Sequence, residues 1–84
     1  MQTKEIEQLI ESHLSDSKAY VEGDGTHFNA LVVSPYFAGL SRLRKQQLVY
    51  EAVQSQLLDG SLHALSIKTM TPEEWEALDG KINY

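Results

Sequence analysis

The chain has 84 residues, no cysteine and a formal net charge of −5. That length supports one domain with a single two-layer core, and the missing cysteine excludes a disulfide staple, a thiolate zinc site and a self-contained four-cysteine iron–sulfur site. The acidic balance argues against broad nucleic-acid binding, and no apolar run approaches the roughly 18 residues of a membrane span, so a soluble, cytoplasmic protein is expected.

The first element is an amphipathic helix. Thr3 is placed to cap it, Glu5 lies in its first turn, and Ile6, Leu9, Ile10 and Leu14 form an apolar stripe, with Glu7 and Glu11 expected to face water. His13, in the last turn, suits the negative end of the helix dipole and reads as structural. After the Ser15-Asp16-Ser17 turn, Lys18 to Glu22 alternates as a strand with Ala19 and Val21 inward. Gly23-Asp24-Gly25-Thr26 is a hairpin connection, because glycine supplies positive φ and the aspartate can form an Asx turn. The second strand runs from His27 to Val33, and its Leu31-Val32-Val33 end is apolar on both faces, which predicts cover on both sides.

Ser34 to Leu40 is a compact connector in which Pro35 can start a helical turn. Ser41 then caps the longest predicted helix, Arg42 to about Leu58, stopped by Asp59-Gly60. Its inner face is read as Val49, Ala52, Val53 and Leu57, with Leu48 at the margin. Cations at Arg42, Arg44 and Lys45 oppose the helix dipole, which marks a solvated face or a docking site for a charged partner. The third strand is read as Ser61 to Lys68, with His63, Leu65 and Ile67 of one parity and Ala64, Ser66 and Lys68 of the other. Thr71-Pro72-Glu73-Glu74 opens the last helix with a capping box, Met70 and Trp75 form a hydrophobic staple, and Trp75 with Leu78 closes one end of the core. Asp79 to Tyr84 reads as a frayed tail. The order predicts an α+β sandwich with a three-stranded sheet and its helices on one face.

The common enzyme constellations are missing. No glycine-rich phosphate loop precedes a helix, no helix carries two histidines at metal spacing, and there is no Gly-x-Ser-x-Gly elbow. What remains is His63 and His27 at two strand starts, with Asp24 in the loop beside His27. His63 is either a core-edge histidine donating to a neighbouring carbonyl or a reachable ligand. A His/His or His/Asp pair with open positions is a half-site for a metal, completed by another molecule. An iron–sulfur cluster there would need its cysteines from a partner, with histidine replacing cysteine on one iron.

Four ordered blocks carry a resemblance. Gly-Asp-Gly-Thr-His-Phe at 23–28, the Val33–Tyr50 stretch with Phe37, Gly39-Leu40-Ser41-Arg42-Leu43 and Lys45-Gln46-Gln47, Leu-His-Ala-Leu-Ser-Ile-Lys at 62–68, and Thr-Pro-Glu-Glu-Trp at 71–75 resemble the BolA family across nearly the whole chain. The Gly-Asp-Gly hairpin and the Gln46-Gln47 pair are closest to a bacterial branch of it. The resemblance implies one BolA-like domain over residues 1–84, a two-layer α/β sandwich of class II KH-like topology, α-β-β-α-α-β-α with a three-stranded mixed sheet, and Pro35–Leu40 as the short second helix. It implies no enzymatic activity and partnership with a monothiol glutaredoxin. A [2Fe–2S] cluster would be shared in that complex, its thiolates coming from glutaredoxin and glutathione, with none bound by the isolated chain. His63 would be this chain's ligand, and the family's second ligand position falls on Asp24 or near His27. The implied role is in iron homeostasis and in acid or oxidative stress, by a chain that is a monomer or weak homodimer when alone. The family's other activity, DNA binding and transcriptional control, would use Arg42, Arg44, Lys45 and Lys68, which are also the candidate partner contacts. The Gly39-Leu40-Ser41-Arg42 segment lacks the second glycine of a KH Gly-x-x-Gly loop.

Overall fold

The alternating residues of the hairpin strands decide where everything else packs. A computed structural model describes residues 1–78. Its elements are α1 (Thr3–His13), β1 (Lys18–Gly23), β2 (His27–Val33), α2 (Arg42–Ala52), α3 (Gln54–Asp59), β3 (Ala64–Met70) and α4 (Pro72–Ala77). The expected α-β-β-α-α-β-α order holds. The short helix expected at Pro35–Leu40 is reduced to one 3-10 turn, Pro35–Phe37, capped by the Ser34 hydroxyl. The strand order is β1-β2-β3, antiparallel between the first two and parallel between the last two, a mixed sheet.

One sheet face presents Ala19, Val21, Phe28, Ala30, Val32 and Leu65 to the helices, which answer with Ile6, Ile10, Val49 and Val53, all four fully buried. The opposite face carries a second cluster of Leu31, Val33 and Met70. Tyr20 and Trp75 pack against it, their rings stacked 5.2 Å apart at 18°. This second cover explains why the end of β2 is apolar on both sides. Trp75 therefore serves the other face instead of closing the end of the main core, and Leu78, expected beside it, is 43% exposed.

Both edge strands are partly capped by side chains from helices. On β1 the amides of Ala19 and Val21 donate to Glu11 Oε2 and Glu7 Oε2, each at 2.9 Å. On β3 the carbonyls of Leu65 and Ile67 accept from the Tyr50 hydroxyl at 2.9 Å and the Gln46 amide at 3.0 Å. Four helical residues rise about 6 Å and two strand residues about 6.6 Å, so an i,i+4 pair matches alternate residues along an edge. Glu7 and Glu11 are thus edge caps, not the water-facing residues the helical stripe suggests.

Other departures have local causes. The α1 cap is Gln2, whose amide donates to Glu5 Oε1 at 2.8 Å, so the helix begins at Thr3. The long helix breaks at Val53 (φ −119°, ψ 14°); Val53 is buried, and Leu57 beyond the break still packs against the core as read. β3 starts at Ala64 and runs to Met70, because its parallel partner starts at His27 and ends at Val33. Upstream, the Leu62 amide is held by Gln56 O at 3.0 Å, which keeps residues 61–63 out of the ladder. The Thr71 capping box and Pro72 start form as read, and Gly60 stops α3 in the left-handed region at φ 82°. The frayed tail expected at 79–84 lies outside the described residues.

Glycine is required at Gly23 by close approach: a Cβ there would meet His27 O and lie 2.9 Å from Phe28 Cα. Gly23→Ala is expected to force the hairpin apart and cost more than any substitution elsewhere in the loop. Glu7→Ala and Glu11→Ala are each expected to lower stability by about 1–2 kcal/mol, since each leaves a strand amide without its charged acceptor. Denaturant unfolding measures both; unchanged midpoints for the glutamate variants would contradict the edge-cap assignment.

Candidate functional site

Parallel pairing puts the starts of β2 and β3 at the same end of the sheet, with His27 directly opposite Ala64. That register brings Asp24, His27 and His63 to one end of the molecule. The loop is built by Asp24. Its Oδ1 accepts from the amides of Thr26 and His27, both at 2.9 Å, and its own amide donates to His27 O at 3.2 Å. Gly25 turns the chain at φ 96°. These donors, the His27 amide first and the Thr26 amide next, hold the Asp24 carboxyl below its ordinary 3.8. Asp24 is therefore explained by the turn it makes.

His27 is exposed, and alternation puts it on the sheet face of Asn29 and Ala64, away from the face of Leu65. His63 stands just outside the ladder, one residue before Ala64. Its neighbours fix its backbone: Leu62 is 1% exposed and Leu65 7%. The imidazole itself is exposed and makes no hydrogen bond or ion pair among the described residues. The carbonyl partner of a core-edge histidine is not there. What the geometry offers is an available imidazole on a rigid base.

Among the described residues no group of three or more His, Asp or Glu side chains is arranged to hold a metal ion. The chain has no cysteine, so a metal held at this end of the sheet would need further ligands from another molecule.

The third histidine has a different place. His13 Nε2 lies 3.6 Å from Glu51 Oε1, joining α1 to α2, and Arg44 Nη1 lies 3.5 Å from Glu51 Oε2. Arg44 is thereby separated from the other cations of its segment. Arg42, Lys45 and Lys68 instead line one groove between the start of α2 and the end of β3, with Gln46, Ile67 and Thr69. The four cations read as one contact surface are two groups. Sequence reasoning missed Gln46 and Tyr50, whose spacing of four carries meaning only once α2 is known to run along β3.

The depressed Asp24 carboxyl sets a pH dependence. A lowered pKa means that the folded loop prefers the ionised form, so its ordering is fully present above 3.8 and is lost as pH falls below that value. Protection of the Thr26 and His27 amides, measured against the intrinsic rate at each pH, is expected to fall over that acid range in the wild type, leaving them to exchange as fast as an open loop. Asp24→Ala should show the fast exchange at neutral pH, and Asp24→Asn should largely restore protection because an amide oxygen still closes an Asx turn. Equal protection in all three proteins would contradict this role.

The chain is similar to known proteins over most of its length. The family model described as BolA-like protein matches residues 1–74. The acid stress protein IbaG of Escherichia coli K12 is 42% identical over 83 residues, covering 99% of this chain and 98% of its own. The solved structure of a BolA homologue from Coxiella burnetii superposes with a TM-score of 0.81 at 44% identity, covering 90% of this chain and 97% of that one. The BolA domain of SufE1 from Arabidopsis thaliana gives 0.71 at 33% identity, covering 86% and 93%. A match over this much of the chain, at this identity and with the same fold, makes the protein a member of the BolA family.

Proposed function

We propose that the chain is a non-enzymatic adaptor that binds a monothiol glutaredoxin and lends His63 to a [2Fe–2S] cluster held between them. The cluster is cargo, to be held or passed on in iron homeostasis and in the acid or oxidative stress response. One observation carries the reading: the exposed imidazole of His63, without a partner among the described residues and set between two buried leucines. A neutral imidazole nitrogen is a good ligand for a cluster iron, and replacing a thiolate by imidazole raises the reduction potential. The chain has no thiolate of its own, so the sulfur ligands belong to glutaredoxin and to glutathione supplied with it.

The chain's own residues have separable tasks. His63 provides the donor atom. Leu62 and Leu65 keep its backbone from yielding, which fixes the reach of the donor. Asp24 orders the neighbouring loop and so positions His27, the chain's other exposed imidazole at that end. His27 is the better second donor chemically, because one oxygen of the Asp24 carboxylate already accepts two amides.

A DNA-binding regulator is the rival reading, and it has less behind it. Arg44 is tied to Glu51, three cations remain in the groove, and the chain as a whole carries −5.

Anaerobic mixing with a cluster-loaded monothiol glutaredoxin, followed by visible circular dichroism, tests the proposal. The wild type is expected to change the cluster spectrum and His63→Ala to leave it as in glutaredoxin alone, while His27→Ala retains most of the change. No spectral change with the wild type, or the same change with His63→Ala, would overturn the assignment.

A further inference from the structure

The ladder of side chains along the outer edge of β3 stops one rung short. Tyr50 caps Leu65 and Gln46 caps Ile67. Continuing by four along α2 and by two along β3 pairs Arg42 with Thr69, and both do line the same groove. The main-chain groups of Thr69 face outward, in phase with the outward carbonyls of Leu65 and Ile67. Among the described residues, however, neither the N–H nor the C=O of Thr69 has a hydrogen-bond partner outside the sheet. Arg42, Lys45 and Lys68, which line that groove with Thr69, form no salt bridge among the described residues. Glu74, the acid whose charge Lys45 reaches, has its carboxylate engaged by the Thr71 amide at 2.8 Å. An open strand edge and three cations with no salt bridge among the described residues thus share one groove on an acidic protein.

The geometry points to this groove as the docking site for an extended acidic segment of a protein partner. Such a segment would hydrogen-bond with its main chain to the Thr69 N–H and C=O, as in strand addition, and set its carboxylates against Arg42, Lys45 and Lys68. A nucleic-acid duplex fits less well. The gap among the carbonyl caps is one rung long, and α4, which follows β3 directly, opens with Glu73 and Glu74 where a continuous line of phosphates would meet them. The inference rests on reading the chain as a protein-binding adaptor, and it makes no use of the cluster or of His63.

The test therefore uses the isolated chain, with no glutaredoxin. The isotope-labelled protein is titrated by NMR with a terminally blocked peptide of alternating Glu and Val, with its Gln and Val counterpart, and with a short DNA duplex. The acidic peptide is expected to shift the amides of Thr69, Arg42 and Lys45 and the neutral peptide to leave them in place. The double variant Arg42→Gln/Lys45→Gln should weaken acidic-peptide binding by about tenfold or more, and Arg44→Gln, on the other side of the helix start, should not. No shifts, equal shifts with the neutral peptide, undiminished binding by the double variant, equal weakening by Arg44→Gln, or tighter binding of the duplex through these residues would each overturn the proposal. Any of these failures would leave the His63 experiment unaffected.

Discussion

A three-stranded sheet has two edges for one interior strand, and the architecture follows from how those edges are closed. Each exposed row of main-chain groups invites another chain, and this small domain has no disulfide to fall back on. The solution is the same on both sides. Glu7 and Glu11 of α1 satisfy β1, and Gln46 and Tyr50 of α2 satisfy β3. In each case an i,i+4 pair on a helix matches alternate residues of the strand beside it. These contacts set each helix along its strand and so complement the non-directional packing of Ile6, Ile10, Val49 and Val53.

The same arrangement determines what is left open. With β1 and β3 held at the edges, the parallel register between β2 and β3 carries both strand starts to one end of the sheet. His63 is presented there because Leu62 is drawn into the core and tied to Gln56 O before the strand begins, while Leu65 anchors the chain just after. At the other end of β3, the cap ladder leaves Thr69 beside three cations. Both openings of the fold thus flank β3, one rich in imidazole and the other in positive charge.

Much of this was legible from local sequence. The Thr71-Pro72-x-Glu74 start, the Ser41 cap, the Gly60 stop and the Asp24 Asx turn with Gly25 at positive φ are short-range signals, and each formed as read, whereas Gly23 is needed for close approach and not for positive φ. The two-faced apolar end of β2 announced a second cover, now supplied by Trp75. What local signals could not carry was pairing. The start of β3 depends on where β2 starts, and the roles of Glu7 and Glu11 depend on β1 lying beside α1; helical periodicity alone assigns such carboxylates to water. Arg44 was grouped with Arg42 and Lys45 by proximity in sequence, but rotation about the helix brings it to Glu51. His63 stands out in the sequence by its residue type and its place near a strand mouth, although the strand opens one residue after it.

The central claim is that His63 donates a nitrogen to a cluster shared with a partner. Pulsed electron paramagnetic resonance of the reduced complex, prepared with this chain carrying nitrogen-15 histidine, addresses the ligand itself. The account predicts a strong hyperfine coupling from a labelled imidazole that persists in His27→Ala and disappears in His63→Ala. No such coupling in the wild-type complex, or a coupling that survives His63→Ala, would contradict it.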